Sequence, residues 1–132
     1  TITLNNSGVQ YNTSSDKRLK TNIINSSLNG IETIMSLPVV DFSFKTSPEF
    51  RHTGFIAQDV EPLFPDAVSK NIDGYYQIAL PSLVPVLTKA IQEQQQQIET
   101  QQQQIETQNQ KIDQLNVLID ELKREIASSS VS

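Results

Sequence analysis

At 132 residues and 36% apolar content, the chain has room for one modest globular unit, so part of it must be extended or oligomeric. The net charge of -5, with ten basic residues scattered rather than clustered, offers no stripe to neutralise a phosphate backbone, which argues against nucleic acid as a direct partner. There is no cysteine, hence no disulfide, thiolate metal site or cysteine nucleophile, and no apolar run approaches the ~20 residues that cross a bilayer as a helix.

The first residues lack the charged-then-apolar order of a signal peptide, so the chain reads as soluble, or as a soluble piece of a longer one. Thr1, Ile2, Thr3 and Leu4, then Val9, Gln10, Tyr11 and Asn12, alternate around an Asn5-Asn6-Ser7-Gly8 turn and predict a short hairpin. A two-stranded hairpin alone is marginal in water, so residues 1–15 are expected to be the C-terminal end of a β-rich body lying upstream.

Residues 16–82 read as a small α+β core. Asn25 or Ser26 is the expected cap of a helix with Leu28, Ile31, Ile34 and Met35 on one core-facing side, and Pro38 stops it beyond Leu37. Val39 to Lys45 alternate like a half-buried strand, and Gly54-Phe55-Ile56-Ala57 looks like a short buried one. The Asn71-Ile72-Asp73-Gly74 turn separates two short runs between Ala67 and Ile78 as a hairpin, with Gly74 free to take positive φ.

Residues 83–127 predict one long helix, followed by a disordered tail at 128–132. Ser82 is the expected cap, and Pro85 falls where a missing N–H costs little. Ile91, Ile98, Ile105, Ile112, Ile119 and Ile126 recur every seven residues, which predicts a parallel coiled coil. With isoleucine at a, the d positions are Leu87, Gln94, Gln101, Gln108, Leu115 and Leu122, so the seam is apolar at its ends and glutamine-filled in the middle. An isolated helix this polar is unstable, and stability must come from partner helices. The heptads alone leave two strands or three open.

Little in the chain can carry chemistry. His52 has no second histidine or cysteine with which to bind a metal, and Asp41, Asp59, Asp66 and Asp73 lack calcium-loop spacing, so no metal or cofactor is expected. No G-x-S-x-G elbow accompanies His52, which reads as a surface histidine or as one that supports a site without touching the reacting groups. That leaves Ser15 and Lys20. A lysine serves as base to a serine hydroxyl only when burial or a neighbouring positive charge, such as Arg18 here, favours its free amine. By spacing alone, Lys17, Arg18 and Lys20 are more often a solvated basic turn than part of a catalytic pair.

The run Ser15-Asp16-Lys17-Arg18-Leu19-Lys20-Thr21-Asn22, followed by Gly54-Phe55-Ile56-Ala57-Gln58-Asp59-Val60-Glu61-Pro62-Leu63-Phe64-Pro65, resembles the endosialidase-type intramolecular chaperone domain at the C-terminus of bacteriophage tail spikes and fibres. The same module occurs in the myelin regulatory factor. The resemblance spans Ser15 to about Ile126. It implies a homotrimer that assists folding of the upstream fibre or spike of its own polypeptide and then releases itself. Ser15 matches the family's nucleophile and Lys20 its base. The resemblance also implies work in the host-cell cytoplasm during virion assembly, with the upstream part staying in the tail and no membrane involved.

Attack by Ser15 on its own carbonyl closes a strained four-membered ring, whereas attack on the preceding carbonyl closes a five-membered one. Scission between Ser14 and Ser15 is therefore favoured within one chain, and scission between Ser15 and Asp16 is open if the nucleophile acts across subunits. Asn22 is a candidate donor to the oxyanion. Gln58 is either a packing residue or a contact to the upstream protein. Two alternatives stand beside this reading: a non-catalytic trimerisation cap of a fibrous viral protein, and the module of a membrane-tethered transcription factor. The Ala127-Ser128-Ser129-Ser130-Val131-Ser132 end, with no membrane segment, disfavours the second.

Overall fold

The computed structural model describes residues 2–5, 8–11 and 14–130, the first two segments by backbone alone. Asn6 and Ser7 of the expected turn, Asn12 of the second run, and Val131 and Ser132 of the expected tail lie outside the described residues. Strands β1 (Ile2–Asn5) and β2 (Gly8–Tyr11) pair antiparallel with Ile2 opposite Tyr11, the hairpin that the alternation predicts.

Helix α1 (Gly30–Met35) begins later than expected. Its cap is Asn29, whose Oδ1 accepts the Glu32 N–H at 3.0 Å, so neither Asn25 nor Ser26 caps it and Leu28 lies outside the helix. The Ser26 carbonyl instead accepts from Lys89 Nζ at 3.2 Å, and Ser26 Oγ takes the Leu28 N–H at 3.1 Å. With those groups occupied, the chain stays non-helical up to Asn29. Ile34 packs on the core, but Met35 is exposed, because a six-residue helix turns only a narrow face inward.

Strands β3 (Val40–Phe42) and β4 (His52–Gly54) form a second antiparallel pair, with Asp41 opposite Thr53 and a 2.6 Å hydrogen bond from Thr53 Oγ1 to Asp41 Oδ1. The expected strand at Gly54 to Ala57 is displaced. Pairing ends at Gly54, and helix α2 (Ala57–Val60) begins after Phe55 and Ile56. Helical spacing puts Ala57 and Val60 on one inward side, and Val60 is fully buried. Strands β5 (Val68–Lys70) and β6 (Tyr76–Ile78) make the third pair, around the expected turn. There Asn71 Oδ1 accepts the N–H groups of Asp73 and Tyr75, both at 2.9 Å, and Gly74 takes φ +85°.

Leu37, Val60, Ala67 and Leu83 form the core, with Ile34, Phe55, Leu63, Phe64, Val68 and Ile78 packed around them. A 3-10 turn at Leu80–Leu83 then leads into helix α3 (Val84–Ser129) of 46 residues, about 69 Å long. Ser82 is not its cap: the residue preceding α3 is Leu83, with no side-chain cap, while Pro85 sits in the first turn as expected. The helix also runs two residues past the expected end at 127. The architecture is thus a small mixed α/β region followed by one long helix.

The packing of α1 on α3 is one-sided. Lys89 and Glu93 bond to residues 26–31, and Gly30 lies against the Ala90 backbone. With the isoleucines at a, these three residues of α3 occupy f, c and g, the side of the helix turned away from a. The six isoleucines remain exposed.

Candidate functional site

Ser15 and Lys20 lie at the two ends of one 3-10 turn, Lys17–Leu19. Two backbone bonds close it: Leu19 N–H to the Asp16 carbonyl at 3.0 Å and Lys20 N–H to the Lys17 carbonyl at 3.2 Å. Asp16 is its N-cap in extended conformation, and Lys20 is its extended C-cap. This single reversal brings side chains five residues apart into contact, with Lys20 Nζ 2.9 Å from Ser15 Oγ. An ammonium donates across that distance, whereas a free amine accepts the hydroxyl proton. Both side chains are exposed in the single chain.

The turn is held by its own charges. Asp16 Oδ1 accepts the Arg18 backbone N–H at 2.8 Å. The Arg18 guanidinium also grips both carboxylate oxygens, Nε to Oδ1 at 3.1 Å and Nη2 to Oδ2 at 2.8 Å. Those bonds hold the Asp16 carboxyl below the usual carboxylate range and raise Arg18. Arg18, expected as a positive neighbour favouring the free amine of Lys20, therefore has its charge offset by Asp16.

The other candidates sit elsewhere. Asn22 follows the turn at φ +55°, a left-handed conformation that asparagine tolerates better than most residues. Among the described residues it makes no hydrogen bond, so its N–H groups are not engaged by other groups there. His52 belongs to an aromatic trio, 5.6 Å from Phe42 and 5.3 Å from Phe44 between ring centroids, and has no hydrogen bond to the Ser15 and Lys20 pair among the described residues. Gln58 is exposed on α2, on the rim of a groove formed with Phe42, Phe44, Tyr76, Ile78 and Leu80. Among the described residues, no group of three or more His, Asp and Glu side chains is arranged to hold a metal ion.

Sequence reasoning missed the junction of α1 and α3. Glu93 occupies a polar outer position in a polar helix, and nothing in the pattern distinguishes it from Glu99 or Glu106. The role of Asp16 left a weak signal, since an aspartate before a short basic run is ordinary capping chemistry.

A family model described as chaperone of endosialidase matches residues 15–69, from Ser15 into β5. No curated protein matches the chain.

Proposed function

We propose, from the premise that residues 15–69 are a chaperone of endosialidase domain, that the chain trimerises, assists folding of the phage fibre or spike preceding it, and then cuts itself free using Ser15 and Lys20. The domain itself implies an intramolecular chaperone with autoproteolysis acting on its own polypeptide. No helix among the described residues is long and apolar enough to cross a membrane.

The observation that carries the proposal is the 2.9 Å separation of Lys20 Nζ and Ser15 Oγ, a nucleophile and a base already in hydrogen-bond range. In the proposed reaction Lys20, as the free amine, takes the Ser15 hydroxyl proton while Oγ attacks the Ser14 carbonyl carbon. The tetrahedral adduct is a five-membered ring. It collapses with cleavage of the bond from that carbon to the Ser15 nitrogen, which receives the proton from Lys20. The product is an ester between Ser14 and Ser15 Oγ. The product's Ser15 nitrogen is already a free α-amine, and water then adds to the ester and releases the Ser14 carboxylate and the Ser15 hydroxyl.

The coiled-coil part of the proposal is supported by the free isoleucine side of α3, which α1 leaves uncovered. If the packing of three chains strips water from Lys20, cutting follows correct assembly. Release of the chaperone from the upstream part, in the host-cell cytoplasm during virion assembly, completes the proposal.

Mass spectrometry of the freshly expressed chain, beside Ser15→Ala and Lys20→Ala, tests the chemistry. The expected result is two fragments from the parent, the larger beginning at Ser15, and one intact species from each variant. An intact parent removes the peptidase and leaves a non-catalytic trimerisation cap.

A further inference from the structure

The contact of Ser15 with Lys20 depends on a turn that, among the described residues, is supported only from within itself. It spans three residues and buries none of them. An isolated 3-10 turn of that length is weak in water, since its two backbone bonds do not compensate for the ordering of the chain. Without the turn, the two side chains are joined only by a flexible exposed segment, and Oγ and Nζ seldom meet.

We infer that Asp16 is the positioning residue of the self-cleavage reaction: its side chain caps the turn and thereby holds Lys20 against Ser15. The inference rests on the proposed roles of those two residues. Asp16 makes two kinds of contact, and their magnitudes decide which matters. The carboxylate accepts the Arg18 backbone N–H at 2.8 Å, and that bond fixes the chain's path at the second residue of the turn. The side-chain fork to Arg18 is also short, but Arg18 is 89% and Asp16 44% exposed, and exposed ion pairs contribute little. The backbone cap is therefore the main element and the guanidinium an accessory that keeps the carboxylate oriented. Asp16 touches neither reacting atom, so its effect on the reaction runs through the geometry of Ser15 and Lys20.

A cap can be replaced by another cap, which separates this role from a general electrostatic one. Asparagine caps about as well as aspartate, and alanine does not cap. Full-length chains carrying Asp16→Ala, Asp16→Asn and Arg18→Ala are compared with the parent for the first-order rate of cleavage, by mass spectrometry. Sedimentation and helical circular dichroism check that assembly is unchanged. Asp16→Ala is expected to slow cleavage about two- to thirty-fold, the population change that loss of a cap produces. Asp16→Asn recovers most of the parental rate, and Arg18→Ala loses less than Asp16→Ala. The inference is overturned if Asp16→Ala cleaves at the parental rate, or if Asp16→Asn is as slow as Asp16→Ala. A parent that stays whole, or a Ser15→Ala chain that still cuts, overturns the Ser15 and Lys20 roles and the inference with them. The first two outcomes overturn the inference alone.

Discussion

Glu93 Oε2 accepts the Ile31 backbone N–H at 2.8 Å, and its other oxygen takes the Gly30 N–H at 3.1 Å. One side chain of the long helix thus satisfies two of the N–H groups that the start of α1 leaves without intrahelical partners. The contact is part-buried, and it joins the segment leading from Lys20 to the helix bearing the isoleucines.

Glu93→Ala should therefore destabilise the folded chain by about 1–3 kcal/mol, the cost of leaving buried N–H groups unpaired. Glu93→Gln retains one carbonyl acceptor and should cost less. Urea unfolding followed by circular dichroism measures both, and equal stability of Glu93→Ala and the parent would show that water replaces the carboxylate without loss.

Gly30 is required for close approach. A Cβ there would collide with the backbone nitrogen of Ala90 and stand 2.9 Å from its Cα, and backbone atoms cannot swing aside as a flexible side chain does. Gly30→Ala should cost about 1–3 kcal/mol by overpacking and separate α1 from α3. Faster hydrogen exchange across residues 30–36 is the expected signature, and unchanged exchange would refute it.

The Asp16 and Arg18 clasp gives a pH dependence with a definite sign. The Asp16 carboxyl is held below its unfolded value, chiefly by the Arg18 guanidinium and then by its backbone N–H. A depressed carboxyl stabilises the turn fully above the unfolded value, ~3.9, and loses that contribution as pH falls through the lower folded value. Between pH 5 and 8 the turn should be insensitive to pH. Carbon NMR titration of the Asp16 carboxyl should show a midpoint below the ordinary one that rises in Arg18→Ala; an unmoved midpoint would contradict the assignment.

Charges in the isoleucine seam test the link between assembly and cutting. Ile98→Asp with Ile105→Asp puts two carboxylates where the proposed coiled coil would pack apolar side chains, and the chain should sediment as a monomer. Cleavage in that variant should fall at least tenfold, because Lys20 then stays hydrated. A monomer that cuts at the parental rate would separate the chemistry from assembly.

Much of this was legible along the chain, for reasons that differ element by element. The heptad isoleucines and the Asn71 to Gly74 turn announce themselves because helix periodicity and turn chemistry are local. The Ser15 to Lys20 spacing was legible as a pattern, but its geometry depends on the Asp16 cap, which a residue list only hints at. The start of α1 and the end of β4 were misjudged. Asn29 caps where Asn25 and Ser26 looked equally able, because Lys89, 63 residues further on, engages Ser26. The Gly54 motif turns from strand to helix because the core needs Val60, and no local propensity records that demand.

What the amino-acid sequence determined by itself, then, is the unbroken isoleucine stripe, the polar character of the rest of the helix, and the spacing of the serine and lysine proposed to do the chemistry. These follow from periods and side-chain types, which are carried by neighbours in the chain. Only the tertiary structure decided which side of α3 receives α1, through Gly30 against Ala90 and the two bonds of Glu93. It likewise decided that Arg18 faces Asp16 instead of standing free beside Lys20. Both depend on distances between atoms, and the second shows that even a contact two residues apart is settled by the path of the backbone.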